Sequence, residues 1–126
     1  MILKSGTGSG KTEVHILSGA SDYQTFIAHI ATGLNPVENH VSFRFADVDH
    51  DGHPDLIVVI PFNTGSEKVE IHALSFASRL QEFNLHSATA QPAMNAATLD
   101  IHNVSFQVGD WNRDGVIDLI IWFWVV

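Results

Sequence analysis

An internal repeat is the feature that most constrains the fold of this chain. The segment "TGSGKTEVHIL", residues 7–17, returns as "TGSEKVEIHAL", residues 64–74, at an offset of 57 residues. A second segment, "VSFRFADVDHDGHPDLIVVI" at 41–60, returns as "VSFQVGDWNRDGVIDLIIWF" at 104–123, at an offset of 63 residues. A repeat of this length is typical of β-propeller blades and of other repeat arrays.

The residue patterns within each copy predict β-strands. In "VSFRF", the apolar residues Val41, Phe43 and Phe45 alternate with polar ones, as on a strand with one buried face. "DLIVVI" is continuously apolar and rich in β-branched residues, which is typical of a strand that is buried on both faces. "KVEIHAL" alternates again, whereas "YQTFIAHIAT" fits either a strand or a short helix.

We therefore predict an all-β fold of four-stranded antiparallel sheets, with the strand positions labelled A to D from the "VSF" strand onward. The chain begins within a B strand and then runs C, D, A, B, C, D, A, B. Residues 1–60 form the first repeat unit and residues 61–126 form the second. Clusters of glycine, asparagine, serine and proline separate the strands as turns.

Composition excludes several classes of protein. The chain has 126 residues, of which 45% are hydrophobic, so it is long and apolar enough for a folded core. Its formal charge of −8 makes it a poor nucleic-acid binder, because phosphate contacts need Lys and Arg. No apolar run approaches the ~20 residues of a membrane helix. Cysteine is absent, which excludes disulfides and thiolate metal sites.

The glycine-rich stretch "SGTGSGKTEV", residues 5–14, is close to a phosphate-binding loop but misses its signature. Counting back from Gly10 reaches Ser5, where that signature requires glycine. The second copy has Glu67 in place of Gly10, and a carboxylate there would repel a phosphate. We therefore predict a turn between strands B and C, with glycines that adopt positive φ.

Two acidic loops, "DVDHDGHPD" and "DWNRDGVID", carry the clearest chemistry. Side-chain oxygens recur at positions 1, 3, 5 and 9, glycine stands at position 6, and the carbonyl at position 7 can turn inward. This spacing matches the first part of an EF-hand calcium loop, without its Glu at position 12 or its flanking helices. An acidic turn without metal is the alternative. The predicted Ca²⁺ ligands are Asp47, Asp49, Asp51, His53 and Asp55 in loop one, and Asp110, Asn112, Asp114, Val116 and Asp118 in loop two.

Calcium suits these loops better than magnesium, because magnesium demands near-octahedral geometry and retains its waters. His53 and Val116 are predicted to contribute only their main-chain carbonyl oxygens. Asn112 replaces a carboxylate in loop two, so we expect weaker calcium binding there.

The two units resemble FG-GAP/VCBS repeats, the calcium-binding blades of integrin-α-type β-propellers. The segments "FRFADVDHDGHPDLIVVI", "FQVGDWNRDGVIDLIIWF" and "TGSGKTEVHILSGASDYQTF" carry the resemblance, which covers nearly the whole chain. It implies a four-stranded blade that holds calcium in its A–B loop. The chain departs from the family in its degenerate FG-GAP letters and in having two units, whereas a closed propeller needs ~4–8 blades.

From this resemblance we expect a secreted, extracellular and non-enzymatic module that binds a protein or glycan ligand, with calcium as its cofactor. The loops "GLNPVENH" and "SATAQPAMNAATLDIHN" would form the ligand surface. The alternatives are a structural or assembly repeat, or a non-catalytic appendage of a secreted hydrolase. No catalytic residue is predicted, because no nucleophile and base can be paired from their spacing.

Two units cannot close a ring, so we expect copies of the chain to associate. The A and B strands of one copy would pair with the C and D strands of the next, and three copies would form six composite blades. The alternative is a piece of a longer repeat array. The aromatic segment that contains Trp122 and Trp124 is predicted either to pack in the core between blades or to be an unpaired edge that awaits another chain.

Two Glu-x-His pairs stand at the same place in the two units. Glu13 and His15 lie on one predicted C strand, and Glu70 and His72 lie on the other. Such a pair on one strand face could bind a transition metal. We interpret the pairs instead as a solvated or partly packed polar strand face.

Overall fold

The protein is all-β in its computed structural model, which describes residues 2–4, 9–35, 41–61, 64–92 and 104–123. These residues contain two 3₁₀ turns, Gly19–Ser21 and Phe76–Ser78, and no α-helix. None of the described segments forms a helix long and apolar enough to cross a membrane. The described strands are β1 (Ile2–Lys4), β2 (Glu13–Leu17), β3 (Phe26–Ala31), β4 (Ser42–Ala46), β5 (Asp55–Ile60), β6 (Lys68–Leu74), β7 (Phe83–Pro92), β8 (Val104–Gly109) and β9 (Asp118–Phe123).

The described strands form three antiparallel sheets in the orders β1-β2-β3, β4-β5-β6-β7 and β8-β9. Their succession matches the predicted order of positions, so the middle sheet is a complete A-to-D set. The described part of the first sheet has positions B, C and D, and that of the third sheet has positions A and B. The segment that fitted either strand or helix forms strand β3.

Left-handed backbone conformations recur at equivalent places in the two copies, and most of them fall on residues other than glycine. A positive φ at such residues costs about 1–2 kcal/mol each, so the surrounding loop must hold it. The predicted positive φ of the turn glycines is confirmed for Gly10, at 70°, but not for Gly65; in the second copy Glu67 adopts this conformation, with φ of 58°. The other matched pairs are Asp22 and Arg79, Tyr23 and Leu80, His50 and Arg113, and Gly52 and Gly115.

Strand β5 lies at the centre of the hydrophobic core. Its residues Leu56, Ile57, Val58 and Val59 are all 0% exposed, which confirms the prediction of burial on both faces. One face packs against the first sheet and the other packs against the third. The first cluster contains Leu56 and Val58 with Val14, Ile30, Leu74 and Leu80, and the second contains Ile57 and Val59 with Val69, Ala73 and Phe106.

The first and middle sheets also meet through their backbones. The Gly33 amide donates a hydrogen bond of 2.8 Å to the Leu80 carbonyl. The Gln81 side-chain amide donates one of 2.7 Å to the Ala31 carbonyl. A Cβ at Gly33 would overlap the main-chain carbonyl of Gln81, so this approach requires glycine.

Replacing Gly33 with alanine should therefore separate the two sheets and destabilise the fold. We expect Gly33→Ala to lower the free energy of unfolding by about 1–3 kcal/mol, measured by urea denaturation. Gly65→Ala is the matched control, because a Cβ there meets no atom within 4 Å, and it should change stability by less than about 0.5 kcal/mol. Equal effects of the two changes would contradict this packing.

Candidate metal-binding sites

The first acidic loop joins β4 to β5 and is folded by hydrogen bonds from its own backbone to its carboxylates. The Asp51 amide donates to Asp47 Oδ1 at 3.1 Å and to Asp49 Oδ1 at 3.2 Å. The Gly52 amide donates to Asp47 Oδ2 at 2.9 Å, and the His53 amide donates to Asp51 Oδ1 at 2.8 Å. These bonds wind the chain around the side chain of Asp47.

The second acidic loop joins β8 to β9 and repeats this scheme bond for bond. The Asp114 amide donates to Asp110 Oδ1 at 3.1 Å and to Asn112 Oδ1 at 3.3 Å. The Gly115 amide donates to Asp110 Oδ2 at 2.8 Å, and the Val116 amide donates to Asp114 Oδ1 at 2.8 Å. The two copies therefore share the same loop conformation, although the residues between the oxygen positions differ.

The aspartate at position 9 has a structural role that the sequence pattern did not reveal. Asp55 is fully buried, and its two oxygens accept hydrogen bonds of 2.9 Å from the amides of Val48 and Phe76. It thus connects the loop to the start of β5 and to the 3₁₀ turn that precedes β7. In the second copy, Asp118 accepts the equivalent bond of 2.8 Å from the Trp111 amide.

Three of the predicted ligands in loop one converge. One carboxylate oxygen each of Asp47, Asp49 and Asp55 lie within 4.8 Å of one another. Asp51 is outside this group, with one oxygen bound to the His53 amide. The ring of His53 stacks on Phe76, with centroids 5.1 Å apart.

The electrostatics of loop one favour the ionised form of Asp47. Burial raises the pKa of Asp47, but hydrogen bonds from the amides of Gly52, Asp51 and His50 outweigh it and hold the pKa below its ordinary value. Its charge lies close to those of Asp49 and Asp55, and Asn84 donates to Asp49 Oδ2 at 3.3 Å. A bound cation would relieve the repulsion among these carboxylates.

In loop two, Asp110, Asn112, Asp114 and Val116 lie in the connection itself, and Asp118 is the first residue of β9. The side chains that converge in loop one stand at positions 1, 3 and 9. In loop two, position 3 is the uncharged Asn112, so only Asp110 and Asp118 are carboxylates at these positions.

A second kind of cluster lies on strands β2 and β3. Strand pairing places His15 opposite His29, with ring centroids 3.7 Å apart. His15 Nε2 lies 3.0 Å from Glu13 Oε2, and His29 Nε2 lies 3.6 Å from the same oxygen. Ser9 donates to the other oxygen of Glu13 at 2.8 Å.

Strands β6 and β7 carry the same cluster. His72 pairs with His86, their ring centroids lie 4.0 Å apart, and His72 Nε2 lies 3.0 Å from Glu70 Oε1. A hydrogen bond from Ser66 holds the pKa of Glu70 below its ordinary value, despite the opposing effect of burial. Burial, with the nearby charge of His86, lowers the pKa of His72.

The sequence pattern pairs Glu13 with His15 and Glu70 with His72, but it does not connect His29 or His86 with either pair. That connection depends on the register between neighbouring strands, which the sequence does not state. The interpretation as a partly packed strand face fits His15 and His72, which are 6% and 5% exposed.

Comparison of the chain with protein-family models, with curated proteins and with solved structures returned no match. The resemblance to FG-GAP/VCBS repeats therefore depends on the residues quoted above, and its implications for function are proposals. Of the two loops predicted to form a ligand surface, residues 36–40 and 93–103 lie outside the described residues.

The structural role of Asp55 predicts that its carboxylate stabilises the fold even when no metal is bound. Asp55→Asn keeps the shape but turns an NH₂ group toward one of the two amides, which leaves that buried donor unpaired. We expect unfolding in urea to become easier by about 1–3 kcal/mol in EDTA, and by more in calcium, where a predicted ligand is lost as well.

Asp22→Asn is the matched control for this change. Asp22 is exposed with φ of 53°, a conformation that asparagine tolerates, and the substitution changes the charge equally. Wild-type stability of Asp55→Asn in EDTA would show that the two amide contacts do not stabilise the fold.

Proposed function

We propose that the protein is a calcium-binding repeat module, built from β-propeller-type sheets, that presents its loops to a protein or glycan ligand. The observation that carries the proposal is the convergence of Asp47, Asp49 and Asp55 in a loop whose hydrogen bonds recur in the second copy. The proposal includes no catalytic role for these residues.

The spacing of the oxygens supports a single hard cation in loop one. Calcium binds oxygens at about 2.3–2.6 Å, so ligands on opposite sides of one ion lie about 4.6–5.2 Å apart. The three carboxylate oxygens lie within 4.8 Å of one another and therefore fit around one ion. Their charge, and the absence of nitrogen from the group, favour calcium over zinc or copper.

Calcium would mainly stabilise the folded state. The loop begins at β4 and ends at Asp55, which also contacts the turn before β7 through Phe76. An ion that binds only the folded loop stabilises the folded state by RT ln(1 + [Ca²⁺]/Kd). For the proposed secreted location we expect a dissociation constant of about 10⁻⁴–10⁻³ M, the usual range for extracellular calcium modules.

Exposed apolar side chains beside the loops support a role in binding a partner. Trp111 follows the first ligand position of loop two and is 80% exposed, and Val116 in the same loop is 60% exposed. Tryptophan is enriched at binding surfaces, because it offers a large apolar area and a polar N–H group.

Association of copies is part of the same proposal. Strand β9 pairs on one side with β8, and no described strand pairs with its other edge. An open groove along β9 is lined by Trp111, Leu119, Ile120 and Ile121. A C strand from another copy would cover this edge and extend the third sheet toward a composite blade.

Removing one carboxylate from loop one should weaken its response to calcium. We expect Asp49→Ala to abolish most of the stabilisation that calcium gives to this loop, which would be about 2.7 kcal/mol at a calcium concentration 100 times Kd. His53→Ala retains the main-chain carbonyl and should preserve the response. Urea denaturation in calcium and in EDTA measures both, and equal effects of the two substitutions would refute the ligand assignment.

The Asn112 side chain at position 3 of loop two provides a reciprocal test. Asn112→Asp gives loop two the carboxylate found at Asp49, and should increase the calcium affinity of the weaker site. Asp49→Asn makes the opposite exchange in loop one and should bring its affinity down toward that of loop two. Calorimetric titration with calcium measures both affinities, and unchanged binding in both variants would exclude position 3 as a ligand.

A further inference from the structure

The two Glu-His-His clusters lie apart from the acidic loops and play no part in the function proposed above. They consist of Glu13, His15 and His29, and of Glu70, His72 and His86. We propose that each cluster binds one divalent transition-metal ion of the zinc type. The chain would then carry two borderline-metal sites in addition to its calcium loops.

The donor set selects this class of ion. Two imidazole nitrogens and one carboxylate oxygen form a combination that zinc, copper and nickel bind well, whereas calcium requires an environment rich in oxygen. Zinc sites with three protein ligands leave the fourth position open for water or another small ligand. His29 is 59% exposed at its side chain, so an ion could enter from solvent.

The distances between donors in the cluster at Glu13 are close to those around a tetrahedral ion, and the donors of the cluster at Glu70 lie within 4.8 Å of one another. Ligands bound to zinc at about 2.0–2.1 Å lie about 3.3–3.5 Å from one another. His15 Nε2 and His29 Nε2 lie 3.0 and 3.6 Å from the same Glu13 oxygen. Shifts of a few tenths of an ångström in the Glu13 carboxylate and in the exposed His29 ring would bring both nitrogens to the required spacing from that oxygen.

The surrounding residues hold the clusters in this arrangement. Ser9 and Ser66 donate to the second oxygens of Glu13 and Glu70, at 2.8 and 2.7 Å. Such hydrogen bonds to ligating carboxylates orient them toward a metal. Phe26 and Phe83 contact the buried histidines edge-on, with ring centroids 5.8 and 5.9 Å apart, and cover one side of each cluster.

The recurrence of the clusters argues against chance proximity. All three positions repeat at the same offset of 57 residues, as do the two serines. Positions in the loop between the same strands repeat less consistently: Ser21 returns as Ser78, but Asp22 corresponds to Arg79 and Thr25 to Glu82. The repeat therefore retains all the donors and only part of the loop between them.

The two clusters should differ in affinity. Metal binding at Nε2 leaves the ring proton on Nδ1, and His72 Nδ1 is buried without a hydrogen-bond partner among the described residues. A buried N–H group without an acceptor is unfavourable. We therefore expect the cluster at Glu70 to bind zinc less tightly than the cluster at Glu13.

The test is a zinc titration of the full chain at neutral pH, with calcium present in excess and a chromophoric zinc chelator as competitor. The wild type should bind two zinc ions. His29→Ala should remove the tighter site and His86→Ala the weaker one, each with more than about a tenfold loss, since loss of an outer-shell partner alone costs 10–100-fold. Both side chains are exposed, so the sheets should remain folded.

His50→Asn is the matched control, because it removes an exposed imidazole outside both clusters and asparagine tolerates its φ of 62°. It should bind zinc as the wild type does. X-ray absorption at the zinc edge of the wild type should show two imidazole nitrogens per ion, a readout that needs no variant. Binding that is unchanged in the His29→Ala and His86→Ala variants, or a zinc environment without imidazole, would overturn the proposal. Neither result depends on calcium binding by the acidic loops.

Discussion

The burial of strand β5 on both faces is the constraint on which the rest of the structure depends. Four consecutive side chains, Leu56 to Val59, are removed from water, and each is worth roughly 1.5–3 kcal/mol when fully buried. Such a strand is stable only between two apolar layers. The first and third sheets provide these layers, so a single repeat unit would leave one face of β5 exposed to solvent.

Asp55 connects this core to the chemistry of the acidic loop. It is the first residue of β5, it is fully buried, and its carboxylate binds amides from the loop and from the turn before β7. Its position among Asp47 and Asp49 makes the same residue a proposed calcium ligand. Each unit would then bind a hard cation in its A–B loop and a borderline cation on the face of its C and D strands. The carboxylates of the loop select the first ion, and the imidazoles of the strand face select the second.

The sequence predicted the elements better than their contacts. Periodicity and the internal repeat were enough for the all-β class, the strand order and the two-sided burial of "DLIVVI". The contact between Asp55 and Phe76 spans 21 residues, and the approach of His29 to Glu13 depends on strand register, so neither follows from local patterns. Glu67 adopts the left-handed conformation expected of glycine because the hairpin holds it there. Closure of the sheets into a ring remains a prediction.

Equilibrium dialysis of the wild-type chain against calcium tests the central claim most directly, because it counts ions without requiring a change in stability. We predict two calcium ions per chain with unequal affinities, since both loops share one hydrogen-bond scheme but differ in charge at position 3. A folded chain that retains no calcium at ~1 mM, the weak end of the range for extracellular modules, would contradict the account. The acidic loops would then be turns held together only by their own backbone hydrogen bonds.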